Sequence, residues 1–284
     1  MTIKQGNTSA THSDEILDAM RIRQEIDAEI NGLYQDRSLK ECAGFLLPNL
    51  KIDNKLLDCG CGPGQLSSAF AKTLTTGTVD GIDANPEHVR QAKERSHSLG
   101  LTNTNFHNAD IYHLPFDDNT FDVAFFHTVI CNLHDPVRAI KEVKRVLKPG
   151  GIIAAREPDY NSSIIHPEDN DLLKGLEALG RVQVGYSDAA TGRKLPDIFH
   201  QAGITDCKVS ASCDTYSSKD QLEKISSYLK AQVLAKDVCE SMLEKGLIDA
   251  LGVSKFCQAF DNMTINPSAL YLYTLIEVIG RKPL

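Results

Sequence analysis

The chain lacks any uninterrupted apolar run of membrane-spanning length, which argues against a bilayer-crossing helix. It has no Lys/Arg stripe, and a formal net charge of −8 opposes the counterion release on which phosphate-backbone binding depends. Nucleic acid is therefore not expected as a partner. No second cysteine pair completes Cys59-x-Cys61 at zinc spacing, so these two residues read as small neighbours of a glycine turn, and no metal site is expected. There is no internal repeat, no low-complexity tract, no legible signal peptide and no clear lipid anchor. The eight cysteines then predict reduced thiols in a cytoplasmic protein.

What is present is concentrated in Leu56-Leu57-Asp58-Cys59-Gly60-Cys61-Gly62-Pro63-Gly64, an apolar strand that enters a glycine turn and opens a helix over Gln65 to Leu74. Small residues between a strand and a helix let a ligand press against bare backbone and exposed amide groups. A dinucleotide fingerprint needs G-x-G-x-x-G, but the third position holds Gln65, and the glycines fall at 60, 62 and 64. A P-loop is excluded because no Gly-Lys-Ser/Thr follows. Val79-Asp80-Gly81-Ile82-Asp83 reads as the next strand, ending in a carboxylate suited to both hydroxyls of a ribose. That feature supports an adenosine ligand, nicotinamide dinucleotides included, without choosing among them.

From Lys55 onward strand and helix alternate regularly, which predicts a parallel sheet with helices on both faces. Asn85-Pro86 and Asp135-Pro136 each pair a cap residue with a proline at the first helical position, and Ser38-x-x-Glu41 and Ser218-x-x-Gln221 are capping-box signatures. Ser13 caps an earlier helix with Ile22, Ile26, Ile30 and Leu33 on one face. Ile152 to Glu157 reads as the fifth strand. Asp159 to Gly185 breaks the alternation with a helix opened by Pro167, Glu168 and Asp169, an insertion expected above the carboxyl ends of the strands. The predicted organisation is a helical lid over 1–50, a cofactor-binding half over 51–158, a substrate cap over 159–190, and completion of the core over 191–284. Leu270 to Ile279, rich in β-formers, is the last strand.

The D-x-G-x-G-x-G pattern of Asp58 to Gly64 resembles the first motif of the class I S-adenosylmethionine-dependent methyltransferases. Further resemblance lies in Phe106-His107-Asn108-Ala109-Asp110-Ile111, in His113-Leu114-Pro115-Phe116-Asp117-Asp118-Asn119-Thr120-Phe121-Asp122-Val123, and in Arg145-Val146-Leu147-Lys148-Pro149-Gly150-Gly151. The last two are most similar to the small-molecule branch typified by the quinone-biosynthesis C-methyltransferases, over roughly residues 36 to 160. The resemblance implies an α/β, Rossmann-like fold: a seven-stranded, mostly parallel sheet whose last strand is antiparallel and inserted beside the fifth, with N-terminal helices lying over the cofactor. It also implies that Asp58, Gly60, Gly62, Gly64, Asp83, Ala84, Asp110, Ile111 and the strand end at His127 surround S-adenosylmethionine, with Asp110 accepting the adenine amino group and Ile111 packing on the ring. No Asn-Pro-Pro-Tyr-like or Pro-Cys element of the base-modifying methyltransferases follows the fourth strand.

A sulfonium already makes its methyl carbon electrophilic, so such a protein mainly holds a nucleophile in line and excludes water. A base near neutral pH assists a hydroxyl, thiol or carbon acid. His127, His134 and Glu157 are the candidates by strand-end placement, and Tyr160, His166 and Tyr186 are candidate pocket residues. The expected function is methyl transfer to a small-molecule acceptor. Three alternatives stand beside it: a non-methylating cyclase, pericyclase or decarboxylase that uses the sulfonium electrostatically; a nicotinamide-dependent oxidoreductase; and a non-catalytic adenosyl-binding partner subunit. The oligomeric state is not legible.

Overall fold

Strands β1 (Lys55–Cys59), β2 (Thr78–Asp83), β3 (Thr104–Asn108), β4 (Phe121–His127), β5 (Leu147–His166), β6 (Thr205–Tyr216) and β7 (Leu270–Arg281) form one seven-stranded sheet in the order β3-β2-β1-β4-β5-β7-β6. The computed structural model describes residues 38–182 and 190–284; the expected helix from Ser13 and candidate Tyr186 lie outside the described residues. Pairing is parallel from β3 through β5, while β7 runs antiparallel between β5 and β6. This is the doubly wound, Rossmann-like arrangement expected. The order reverses between β1 and β4, and in open α/β sheets the crevice outside the carboxyl ends at such a switch point takes the ligand.

The helices are α1 (Leu39–Ala43), α2 (Gln65–Thr73), α3 (Pro86–Ser98), α4 (Pro136–Val146), α5 (Asn170–Arg181), α6 (Thr191–Gln201), α7 (Lys219–Leu234), α8 (Lys236–Glu244) and α9 (Ala250–Thr264). Their starts follow the local chemistry. Asn85 Oδ1 accepts from Glu87 N–H at 2.9 Å and Asp135 Oδ1 from Arg138 N–H at 3.0 Å, each just before a proline that sacrifices no helical donor. Ser38 Oγ accepts from Glu41 N–H, and both halves of the Ser218/Gln221 capping box are formed.

The central strands are apolar on both faces because both are covered. Leu57, Cys59, Ala124 and Phe126 pack toward Ile140 and Val143 of α4 and Leu195 and Phe199 of α6. Leu56, Val123 and Phe125 pack toward α1 and α2, where the Phe70 and Phe125 rings meet edge to face with centroids 5.1 Å apart. Both phenylalanines are fully buried, and truncating either to alanine costs about 3–5 kcal/mol by the usual cavity cost.

Two expectations are corrected. The fifth strand does not stop at Glu157: it continues to His166, with a register break between Asp159 and Ile164, so residues 159–166 are sheet and not cap. Nor do residues 191–284 simply complete the α/β core. Helices α7, α8 and α9 join α5 around a second core, in which Leu172, Leu222, Ile225, Met242, Phe256, Phe260 and Tyr271 are buried together. The reason is strand length. At 20, 12 and 12 residues, β5, β6 and β7 overrun the 5- to 7-residue strands beside them, and the projecting ends need a hydrophobic cover of their own. Among the described residues no helix is long and apolar enough to cross a membrane.

Candidate active site

Gly60, Gly62 and Gly64 follow β1 with φ of +69°, +52° and +79°, the left-handed region that side chains disfavour. Space is as restrictive as torsion. A Cβ on Gly60 would stand 2.5 Å from Val129 Cγ2, and one on Gly64 would stand 2.8 Å from the Ala92 Cβ of α3. The loop is therefore bare backbone wedged between its neighbours, and Gly64 caps α2, whose first amides face the loop without intrahelical partners. Asp58 lies beneath the loop, 3% exposed, and accepts from Ser67 Oγ at 2.5 Å. Its carboxylate ties β1 to the first turn of α2.

At the end of β2, Asp83 Oδ2 accepts from Gly62 N–H at 2.9 Å and Oδ1 from Asn85 N–H at 2.8 Å, with His88 Nδ1 3.4 Å from Oδ1. Burial pushes this carboxyl upward, but the hydrogen bonds from His88, Asn85 and Gly62 outweigh it and hold Asp83 below the usual carboxylate range. Ala84 follows at the surface. β3 ends at Asn108, before the expected Asp110, and Asn108 Nδ2 donates to the carbonyls of Asp83 and Ala84 at 3.0 and 2.9 Å. Exposed Asp110 accepts from Tyr112 N–H at 2.9 Å, with His113 Nδ1 3.2 Å away; the Tyr112 bond is the main reason its carboxyl is held low. Ile111 is half-buried against the central core.

At the end of β4, His127 is 7% exposed; its Nδ1 lies 3.0 Å from Thr128 Oγ1 and 3.4 Å from the Arg156 carbonyl. Thr128 has φ +58°, a strained conformation for a β-branched residue. Glu157 accounts for how the turn is held. It is fully buried and accepts from the backbone N–H of Val129, Ile130 and Cys131 at 2.8, 2.9 and 3.1 Å. Burial raises its carboxyl despite these three bonds and a fourth from the Cys131 side chain. This expected acid/base candidate is thus occupied in holding the turn that carries His127 and Thr128.

Beyond His127 and Thr128 opens a cavity of about 1080 Å³. Its floor is one face of the overlong strands. Register places His127, Arg156, Glu277 and Ser210 in a row across β4, β5, β7 and β6, with Tyr273 opposite Asp214 and Tyr271 opposite Tyr216 further out. Four tyrosines cluster there: the Tyr160 and Tyr273 rings are 5.0 Å apart, Tyr216 stacks on Tyr271 at 5.9 Å, and Tyr271 and Tyr273 are 6.0 Å apart. Ile225 and Leu229 of α7 face them. Of the residues expected in the pocket, His127 and Tyr160 line it. His134 does not: it is exposed, with its ring 4.4 Å from that of Tyr112. His166 is also exposed, at the far end of β5, and is not among the lining residues. Sequence reasoning missed Arg156, Asp214, Tyr216, Tyr271, Tyr273 and Glu277. The alternation Ser210, Ser212, Asp214, Tyr216 on β6, opposite Tyr271 and Tyr273 on β7, was the available signal.

Burial pushes the Cys59 and Cys61 thiols up, with Asp58 adding to the effect, so they stay protonated as packing groups. The loop and strand ends fit an adenosyl amino acid: a cradle of three glycines at positive φ, an ionised Asp83, and Asp110 at the neighbouring edge.

A methyltransferase-domain family matches residues 50–203. The chain is 32% identical over 204 residues to an uncharacterized methyltransferase of Schizosaccharomyces pombe, covering 69% of this chain and 73% of that one. It is 40% identical over 107 residues to the ubiquinone/menaquinone biosynthesis C-methyltransferase UbiE of Bdellovibrio bacteriovorus, covering 38% of this chain and 45% of that enzyme. In fold it is similar to the YcgJ protein of Bacillus subtilis, with a TM-score of 0.58 at 19% identity over 85% of this chain and 97% of that one. The chain belongs to the methyltransferase-domain family, as an S-adenosylmethionine-dependent methyltransferase.

Proposed function

We propose that the methyl acceptor is a flat, largely apolar, ring-bearing molecule held in the cavity between His127 and the tyrosines of β5, β6 and β7. The single observation that carries this reading is the cavity itself. A space of about 1080 Å³ walled by Tyr160, Tyr216, Tyr271 and Tyr273 suits a ring system, because aromatic faces offer large rigid contact area with little entropy to lose. The name of the Bdellovibrio relative, a quinone-biosynthesis C-methyltransferase, is in keeping with such an acceptor.

S-adenosylmethionine supplies an activated methyl group when bound. In this reading Asp83 holds its ribose hydroxyls, Asp110 its adenine amino group with Ile111 against the ring, and the backbone of Gly60 to Gly64 takes the amino-acid end. Asp58 and Glu157 act from behind, one fixing the loop and the other the turn after β4. His127 is the base, taking the acceptor's proton on a ring nitrogen as the new bond forms. The helices over the overlong strands exclude water from the transfer. The eight cysteines and the net charge of −8 fit a cytoplasmic enzyme that does not bind nucleic acid.

The test is incubation of the protein with methyl-labelled S-adenosylmethionine and a panel of phenols, quinols, ring ketones, amines and aliphatic acids. Label is expected in ring-bearing members of the panel, with release of S-adenosylhomocysteine. Transfer confined to aliphatic acids or amines overturns the acceptor class.

A further inference from the structure

Arg156 is 1% exposed and forms part of the cavity floor. Its Nε donates to Ser212 Oγ at 3.0 Å and its Nη2 to Asp214 Oδ1 at 2.7 Å. Its Nη1 is buried and has no hydrogen-bond partner among the described residues. A buried guanidinium N–H is rarely left in this state, because it has lost water without gaining an acceptor.

The surrounding acceptors are all engaged. Asp214 Oδ2 accepts from Tyr273 OH at 3.2 Å; Glu277 accepts from Ser210 and Ser212, each at 2.7 Å. Glu277 Oε1 also lies 3.7 Å from Arg156 Nε. Every carboxylate oxygen of the pair thus has a donor, and the guanidinium keeps the two N–H of Nη1 without an acceptor.

Charge narrows the choice. One guanidinium faces two carboxylates, so an incoming anion meets repulsion that cancels its attraction to Arg156. A protonated amine has no lone pair to accept the N–H that Nη1 offers. A hydroxyl oxygen can accept from Nη1 as well, but it must also place its own proton, on a carboxylate oxygen that already has one donor. A neutral carbonyl oxygen has no such conflict.

We propose that Arg156 determines acceptor specificity by donating from Nη1 to a neutral carbonyl oxygen of the acceptor, which makes ring ketones the preferred substrate class. This rests on reading the cavity as the methyl-acceptor site. The register row His127–Arg156–Glu277 places the guanidinium one strand from His127. A ring anchored by its carbonyl at Arg156 therefore lies beside the histidine and the tyrosine cluster together. Arg156 acts here as a positioning residue.

The experiment compares three ligands that share one ring system: alpha-tetralone, its deoxygenated counterpart tetralin, and a tetralin carboxylate. Each is titrated by ligand-observed NMR into wild-type protein saturated with S-adenosylhomocysteine, and into Arg156→Lys, which keeps a cation beside Asp214 but loses the planar fork. The expected result is wild-type binding of the ketone at least tenfold tighter than either other ligand, with the preference over tetralin lost in Arg156→Lys. Equal binding of ketone and hydrocarbon, no saturable ketone binding, preference for the carboxylate, or a ketone preference retained in Arg156→Lys overturns the proposal. The wild-type ranking decides even if the variant does not fold. Calorimetric titration of S-adenosylhomocysteine reads the cofactor site separately: its failure to bind wild type overturns the methyltransferase reading, whereas ketone discrimination tests Arg156.

Discussion

Gly62 and Asp83 are joined across 21 residues by a hydrogen bond of 2.9 Å from the Gly62 N–H to Asp83 Oδ2. The glycine loop after β1 and the acid at the end of β2 are therefore one unit. Gly62 N–H and Asn85 N–H hold the carboxylate, and the carboxylate in turn fixes the loop.

Replacing Asp83 by alanine is expected to weaken S-adenosylhomocysteine binding by about 2–4 kcal/mol, from lost charge-assisted bonds and donors left unpaired. Isothermal calorimetry measures it, and unchanged affinity would remove Asp83 from the ribose.

The depressed Asp83 carboxyl also has a pH signature. Its stabilisation is present above the unfolded carboxylate value of about 3.9 and is lost as pH falls through the lower folded value. The melting-temperature gap between wild type and Asp83→Asn should hold from about pH 5 to pH 8 and close below about pH 4. A gap that persists unchanged below about pH 4 would contradict the assignment.

Gly64→Ala meets both a +79° φ and the Ala92 Cβ at 2.8 Å, with the Ala92 Cα at 3.0 Å, and a helix backbone does not move aside cheaply. Overpacking and torsional strain together should lower stability by about 1–3 kcal/mol in urea unfolding. Cofactor affinity should fall with it, because the strained loop is the cradle.

For Glu157→Gln the expectation is structural. An amide presents one oxygen and an NH2 group to three backbone donors, so at least one N–H loses its acceptor, at a cost of about 1–3 kcal/mol. Denaturant unfolding reads this directly. Wild-type stability with abolished turnover would instead return Glu157 to acid/base chemistry.

His127→Gln should lower the maximal rate on a methylated panel compound by ~10²–10⁴-fold with S-adenosylhomocysteine affinity nearly unchanged. His134→Gln should leave turnover intact, since that ring sits on Tyr112 away from the cavity. Equal loss in the two variants would mean that neither is the base.

The cofactor half was legible because its signals are local. A positive φ at Gly60, Gly62 and Gly64, a carboxylate closing a short strand at Asp83 and the caps at Asn85 and Asp135 are each written within a few residues. Even here local reading leaves detail out. β3 stops at Asn108, whose amide ties down the Asp83 and Ala84 carbonyls, a bond between residues 24 and 25 apart that no window of sequence displays. Glu157 read as a possible acid or base because it ends an apolar run; only the packed turn at Val129 to Cys131 shows what occupies it.

The sequence by itself determined the parallel α/β order, the glycine cradle and its acidic partner, since strand period, turn torsion and capping are set by neighbours along the chain; the antiparallel course of the last strand was implied by the family resemblance alone. Only the tertiary structure decided the acceptor side. Arg156, Asp214 and Glu277 come from three strands brought into register by pairing, at separations of 58 residues between Arg156 and Asp214 and 67 between Ser210 and Glu277. Their meeting, and the helices that cover the projecting strand ends, follow from burial of surface that exists only once the sheet has formed.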